Sequence, residues 1–193
     1  MNEWNVTNIP EIQPQIAAKC KEIGFSMSSD LYIGSLLKML ITSKPNSNLL
    51  ELGTGIGLSL SWMVDGMDSK SRLTTIDNDQ NLIDIAKGFF GTDNRINIIC
   101  AEGEDWILNY SDDKFDLIFA DAWPGKFSQI DQTLDLVKSG GFYIIDDMIL
   151  QPNWPDGHEE KVKKLIDYLE NREDFNLTKL NWSTGVIIAT RKY

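Results

Sequence analysis

Apolar positions along this chain recur with two periods, and the succession of those periods predicts its architecture. Over residues 11–23, Ile12, Ile16, Ala17, Cys20 and Ile23 keep the spacing that gathers side chains on one face of a helix. Pro14 falls in the first turn of that helix, where a missing N–H is harmless, and Gly24 is placed to end it. A second helix, capped by Asp30 or Ser29, carries Leu31, Leu36, Leu37, Leu40 and Ile41 on its stripe. Before these helices, residues 1–10 with Trp4 read as a loose arm or lid. After them the rhythm changes to short continuous apolar runs, the mark of strands buried on both faces.

Those runs fall at residues 49–52, 73–76, 96–100, 115–120 and 142–145. Between them lie helical patterns at 58–67, 79–90, 102–109 and 127–137, the last stopped by Ser139-Gly140-Gly141. Repeated strand–helix alternation implies a parallel sheet wound on both faces. A further amphipathic helix spans 159–170, with Val162, Leu165, Ile166 and Leu169 turned inward. Two closing strands, 175–181 and 186–190, flank the turn Ser183-Thr184-Gly185. Such a hairpin requires antiparallel neighbours, which parallel-sheet logic alone leaves unexplained.

The first strand runs into the stretch of greatest chemical interest, Glu51-Leu52-Gly53-Thr54-Gly55-Ile56-Gly57. Glycines directly after a buried strand let the backbone turn tightly and approach a ligand. The following helix aims its N-terminal amides at the same place. The spacing Gly-x-Gly-x-Gly differs from the Gly-x-Gly-x-x-Gly of dinucleotide sites. Asp77, closing the second strand, stands where an acid receives a pair of ribose hydroxyls. In an open sheet of this kind ligands bind at the carboxyl ends of the strands, and an acid stands at each of them: Glu51, Asp77, Glu102, Asp121 and Asp146-Asp147. The competing reading makes Glu102, Asp121 and Asp146-Asp147 caps of the helices that follow.

Composition narrows the class. At 193 residues, with 42% hydrophobic and 24% charged positions, the chain suits one domain with a sizeable core. Eighteen basic against 29 acidic residues give a formal charge of −11, which disfavours nucleic acid and anionic membranes as partners. No N-terminal signal pattern and no apolar run near ~20 residues occurs, so a cytoplasmic location is expected. Cys20 and Cys100 are expected as buried free thiols.

With those residues in view, the chain resembles a class I S-adenosylmethionine-dependent methyltransferase of the cation-dependent catechol/caffeoyl-CoA O-methyltransferase family. Glu51-Leu52-Gly53-Thr54-Gly55-Ile56-Gly57 is similar to its first motif, Thr75-Ile76-Asp77-Asn78 to its ribose motif, and Cys100-Ala101-Glu102-Gly103 to its adenine edge. Phe115-Asp116-Leu117-Ile118-Phe119-Ala120-Asp121, Gly140-Gly141 and Ile145-Asp146-Asp147 resemble its catalytic half. The resemblance implies an α/β fold: a Rossmann-like, doubly wound seven-stranded sheet, mostly parallel with an antiparallel C-terminal strand, and helices on both faces. It implies one domain over residues 1–193, with a helical cap or lid over 1–45 and the Rossmann-like core over 46–193.

The resemblance also implies roles. Glu51, Gly53, Thr54, Gly55 and Ser59 would hold the methionine end of S-adenosyl-L-methionine beside Met27 and Ser28. Asp77 and Asn78 would take the ribose, Glu102 and Gly103 the adenine, with Asp121 and Trp123 at the cofactor's edge. Asp121, Asp146 and Asp147 fall on the metal-ligand positions, where oxygen ligands suit a hard ion such as Mg²⁺. The family pattern Asp-x-x-Lys is broken, because Pro124 stands in place of the lysine. Lys126 and His158, the only histidine, are the candidates for the missing base alongside Asp121; the bland readings are a solvated lysine and a helix start. Trp123 and Trp154 either line an aromatic acceptor pocket or stiffen a loop.

The leading expectation is O-methylation of a small hydroxyl-bearing acceptor, aromatic in one version, with a homodimer compatible. Methylation of tRNA or protein, or non-catalytic binding of S-adenosylmethionine, are the alternatives.

Overall fold

The structure, a computed structural model, describes residues 6–27, 29–151 and 154–193. Trp4 and Ser28 therefore lie outside the described residues. Two helices, α1 (Gln13–Ile23) and α2 (Leu31–Thr42), precede the sheet. The Asp30 carboxylate accepts from the amides of Tyr32 and Ile33 and so caps α2, as the sequence suggests. Gly24 closes α1 in the left-handed conformation. Of the N-terminal arm, Asn8 is tied down, its carbonyl accepting from Lys38 on α2 at 2.8 Å.

Strand β1 (Asn48–Leu52) leads through the glycine turn into α3 (Leu58–Gly66). Then follow β2 (Arg72–Asp77), α4 (Gln80–Phe90), β3 (Ile96–Cys100), α5 (Gly103–Asn109) and β4 (Phe115–Ala120). The second half comprises α6 (Ile130–Asp135), β5 (Val137–Ile145), α7 (His158–Glu170), β6 (Phe175–Leu180) and β7 (Val186–Arg191). The seven strands form one sheet in the order β3-β2-β1-β4-β5-β7-β6. Ladders β1–β2, β2–β3, β1–β4 and β4–β5 are parallel, and β7 runs antiparallel between β5 and β6. Chain order reverses between β1 and β4, and the crevice this opens at their carboxyl ends is where such sheets bind ligands.

Successive strand residues face opposite sides, and both sides are covered. Leu50, Leu52, Ile118, Tyr143 and Ile145 pack with Val162, Leu165 and Leu169 of α7 on one face. Leu49, Leu117, Phe119 and Ile144 pack with Ile33, Leu37 and Ile41 of α2 on the other. Double coverage is why these strands read as continuous apolar runs.

Four expectations change. The stripe of α2 centres on Ile33, Gly34, Leu37 and Ile41, and Leu31 stays at the surface. That face is chosen by α3, whose Trp62 ring lies against Gly34. The helix expected over 127–137 is only Ile130–Asp135, because Val137 already pairs with Phe115. Ser139-Gly140-Gly141, which reads as a helix stop, is an irregularity inside β5: the register jumps between Phe115 and Leu117, and Gly140 adopts φ 71°. Finally, both cysteines are free thiols but only Cys20 is buried; Cys100 lies on β3, an edge strand. No helix among the described residues is long and apolar enough to cross a membrane.

A Cβ on Gly34 would stand 2.3 Å from the Trp62 ring, and Trp62 is itself almost wholly buried. Gly34→Ala should therefore overpack the α2–α3 contact and cost about 1–3 kcal/mol, despite alanine's better helix propensity. Urea unfolding checks this; an unchanged or raised midpoint would show that the two helices separate freely.

Candidate functional site

The glycine turn is shaped from beneath. Glu51 is completely buried, and its two carboxyl oxygens accept from the Ser59 hydroxyl at 2.6 Å and the Thr75 hydroxyl at 2.5 Å. Thr75 in turn shares a hydrogen bond of 2.6 Å with Thr54. One acid thus ties β1, the turn, α3 and β2 together. It does not reach the cleft surface, so the role expected of it as a direct cofactor contact becomes one of support. Gly53 (φ 100°) lies so near β4's end that a Cβ there would meet the Asp121 carbonyl oxygen at 2.8 Å. No side chain fits at that crossing.

Asp77 closes the turn from the other side. Its carboxylate accepts from the Gly55 amide at 2.8 Å and from the Asp79 amide at 3.1 Å. Each oxygen keeps a lone pair for a ligand hydroxyl. Gly53, Thr54, Gly55, Ser59, Asp77, Asn78 and Asp121 line a cavity of about 320 Å³ together with Phe25, Met27 and Leu82. A smaller cavity of about 190 Å³ continues from it past Asn78, Glu102, Gly103, Trp123 and Pro124. There the Asn78 amide donates to Glu102 at 3.2 Å. The Glu102 side chain makes no capping bond to α5, which removes the bland explanation of that acid.

A second chamber, about 480 Å³, opens on the other side of Asp121. Met27, Ser29, Asp121 and Ala122 belong to both chambers. The chain leaves β4 into a turn in which Trp123's carbonyl accepts from Phe127 at 2.9 Å. Gly125, at φ 81°, presses against Leu52, where a Cβ would stand 2.3 Å from the leucine Cδ1. The turn sends Lys126 inward to only 5% exposure, and its Nζ donates to the Asp146 carbonyl at 2.6 Å. Lys126 is not solvated.

Asp146 and Asp147 follow the end of β5. Asp147 takes φ 56°, which breaks strand alternation and lets both adjacent residues line the one chamber. Asp146 Oδ1 accepts from the Asp147 amide at 2.7 Å and from the Thr184 hydroxyl. Asp121 accepts from Ser29 at 3.1 Å and precedes no helix it could cap. The opposite wall is aromatic. The His158 ring lies 4.6 Å from Trp154 and 5.1 Å from Phe127, and Lys161 sits 4.3 Å above Trp123.

Burial sets the protonation of this floor. It lifts Glu51 to about 8, against the weaker pull of the Ser59 and Thr75 bonds. It lifts Asp121 to about 7, with the Asp146 charge adding and Lys126 opposing. Asp146 rises to about 6, again through burial, with the Thr184 bond opposing. Burial lowers Lys126, which the three aspartates hold back up, and lowers His158, helped by the Lys126 and Lys161 charges.

The three acids expected to hold a metal share the chamber, but the donor set does not fit one. Among the described residues no three His, Cys, Asp or Glu side chains converge as a cation requires. Asp146 Oδ1 is committed to an amide and a hydroxyl, and a lysine ammonium is already present. Sequence reasoning missed Ser29, Phe25, Asp30 and Thr184. Thr184 had a signal: the turn entering β7 must lie at the carboxyl end of β5 once those strands pair antiparallel. The Pro124-Gly125 dipeptide likewise signalled the turn that buries Lys126.

A family model described as O-methyltransferase matches residues 11–189. A Mycobacterium ulcerans (strain Agy99) protein provisionally named an O-methyltransferase is 32% identical over 171 residues, covering 82% of this chain and 75% of that protein. The Bacillus cereus O-methyltransferase solved with SAH has a TM-score of 0.83 at 20% identity, with 96% of this chain and 94% of that one covered. TomG, the Streptomyces achromogenes O-methyltransferase of tomaymycin synthesis solved with SAM, gives 0.82 at 22% identity, with 95% and 90% covered. At those identities the two structures speak for a shared fold.

The buried Glu51 makes stability pH-dependent. Unfolded, it titrates near 4.5; folded, near 8. Below the lower value both states are protonated and the contribution is whole. Between the two values the unfolded chain releases a proton that the folded one retains, so stability falls by about 1.4 kcal/mol per pH unit. Glu51→Gln should flatten that decline between about pH 5 and pH 8. Identical slopes for the two proteins in urea unfolding across that range would show that Glu51 is ionised in the fold.

Proposed function

We propose the function of this chain from the premise that it belongs to the O-methyltransferase family: it moves a methyl group from S-adenosylmethionine to a hydroxyl of a small aromatic acceptor. The observation that carries this reading is the pair of chambers meeting at Asp121, Ser29 and Ala122. One chamber has the chemistry of a nucleoside with an amino-acid tail. Asp77 offers oxygens to a ribose, Glu102 and Gly103 edge a flat slot for a base, and the left-handed glycines open the backbone to the tail. S-adenosylmethionine, when bound, supplies a methyl on a positively charged sulfur.

The second chamber receives the acceptor. Trp123, Phe127, Trp154 and His158 offer ring faces and edges to a planar substrate. Its charged lining, Asp30, Asp121, Asp146 and Asp147 against Lys126, repels phosphates and other anionic handles. A neutral or cationic phenol fits that balance better than a coenzyme A thioester. Displacement at a methyl needs the attacking oxygen in line and close, and the shared wall at Asp121 sets that approach. His158 takes the hydroxyl proton: burial and two neighbouring ammonium charges keep the imidazole neutral and ready to accept it.

Two outcomes check these assignments. Calorimetry should show Asp77→Ala weakening S-adenosylhomocysteine binding by about 1.5–3 kcal/mol, the scale of hydrogen bonds to a charged group; undiminished affinity would remove Asp77 from the ribose site. His158→Ala should lower turnover on a responsive phenol by roughly 10²–10⁴ while that affinity is kept. A normal rate would pass the proton to another group.

A further inference from the structure

We propose that the Lys126 ammonium stands in for the divalent cation at this site, balancing Asp121, Asp146 and Asp147 and holding the acceptor oxygen as it becomes charged. The proposal rests on the reading that the second chamber receives the acceptor. Three observations converge on it.

The first is position. Pro124 interrupts the pattern in which a lysine would follow Asp121 by three, and the Gly125 turn delivers Lys126 to the chamber floor instead. The second is valence. Of the three ammonium protons, one goes to the Asp146 carbonyl, and no other protein acceptor lies within bonding distance among the described residues. A nearly buried cation with two protons to spare, lining a cavity, is equipped to bind an oxygen that enters it. The third is the state of the acids. Asp121 Oδ2 accepts from Ser29 and Asp146 Oδ1 from Thr184 and the Asp147 amide, and among the described residues the three side chains do not converge as a metal's ligands do. A fixed positive charge among them repels a second one.

In the transfer step the acceptor O–H gives its proton to His158. The oxygen's electron pair then forms the new bond to the methyl carbon while the carbon–sulfur bond breaks toward sulfur. Lys126 keeps its protons throughout and only shares them with the oxygen. It is a catalytic residue in the sense of touching the reacting atom, and a positively charged, preorganised donor is the kind of group that stabilises a developing oxyanion.

The test uses the full chain, stripped with chelator, with Mg²⁺ and Mn²⁺ chlorides alone as probes. Wild type should turn over a responsive phenol equally with chelator or with added metal, and neither metal should shift its melting temperature. Lys126→Gln should keep S-adenosylhomocysteine affinity, lose roughly 10²-fold or more in turnover, and gain a metal-induced rise in melting temperature as its acids are left unbalanced. Lys126→Arg, which keeps the charge, should melt without response to metal. Metal that raises the melting point of wild type, a chelator that abolishes its turnover, or Lys126→Gln at full rate would each overturn the proposal. Should no phenol be turned over, the acceptor reading fails by itself, and the melting series on the three proteins still decides whether Lys126 holds the cation's place.

Discussion

A carboxyl group with no access to water holds this molecule's binding edge together. Glu51 sits under the glycine turn with a hydroxyl on each oxygen, one from α3 and one from β2, and a third hydroxyl relays the contact to Thr54 in the turn. Burial of an ionised carboxylate among apolar strands is costly, so the group keeps its proton near neutrality. What it provides is geometry. The turn cannot shift without breaking bonds made on three elements at once, and Asp77 reaches the Gly55 amide only while the turn holds its place. Buried polar networks of this kind specify one arrangement because their partners have no water to fall back on.

The opposite side of the cleft follows a different logic. There the acids are not isolated but gathered, and the fold must supply positive charge. It does so with a backbone device: a left-handed glycine packed against Leu52 turns the chain so that Lys126 enters from the loop, not from a helix. Asp147's own left-handed conformation completes the arrangement by bringing two sequence neighbours to the same side. The cofactor half and the acceptor half thus meet at Asp121, whose carbonyl crowds Gly53 while its carboxylate faces Ser29 and the acceptor chamber. A single residue at the end of β4 links the two chemistries.

The family relation and the shared fold set what is common to these proteins, while the loops after β4 and β5 set what is particular here. Substituting Pro124 for a lysine would read as loss of a catalytic group if sequence position were all that mattered. In three dimensions Lys126, two residues on, reaches the floor of the second chamber. The aromatic wall formed by Trp123, Phe127, Trp154 and His158 draws on that same turn, on the start of α7 and on Trp154 four residues before it.

What the chain alone determined was local or periodic. Two helices, the alternation of strands and helices, the glycine turn, Asp77 at the end of β2 and the closing hairpin are all set by spacing along the sequence, because side-chain direction repeats with backbone geometry. The Asp30 cap and the Gly24 stop were legible for the same reason, since each acts within one turn of itself. What only the tertiary structure decided depended on which distant segments meet. The register of β4 against β5 turned an apparent helix end at Gly140-Gly141 into a kink within a strand. Packing of α3 chose the buried face of α2, and Leu31 lost to Ile33 and Gly34. Ser29 and Thr184 came to the acids from 92 and 38 residues away. Whether Lys126 met water or the Asp146 carbonyl was settled by one glycine folding against Leu52, because no pattern along a chain records which space another strand has already filled.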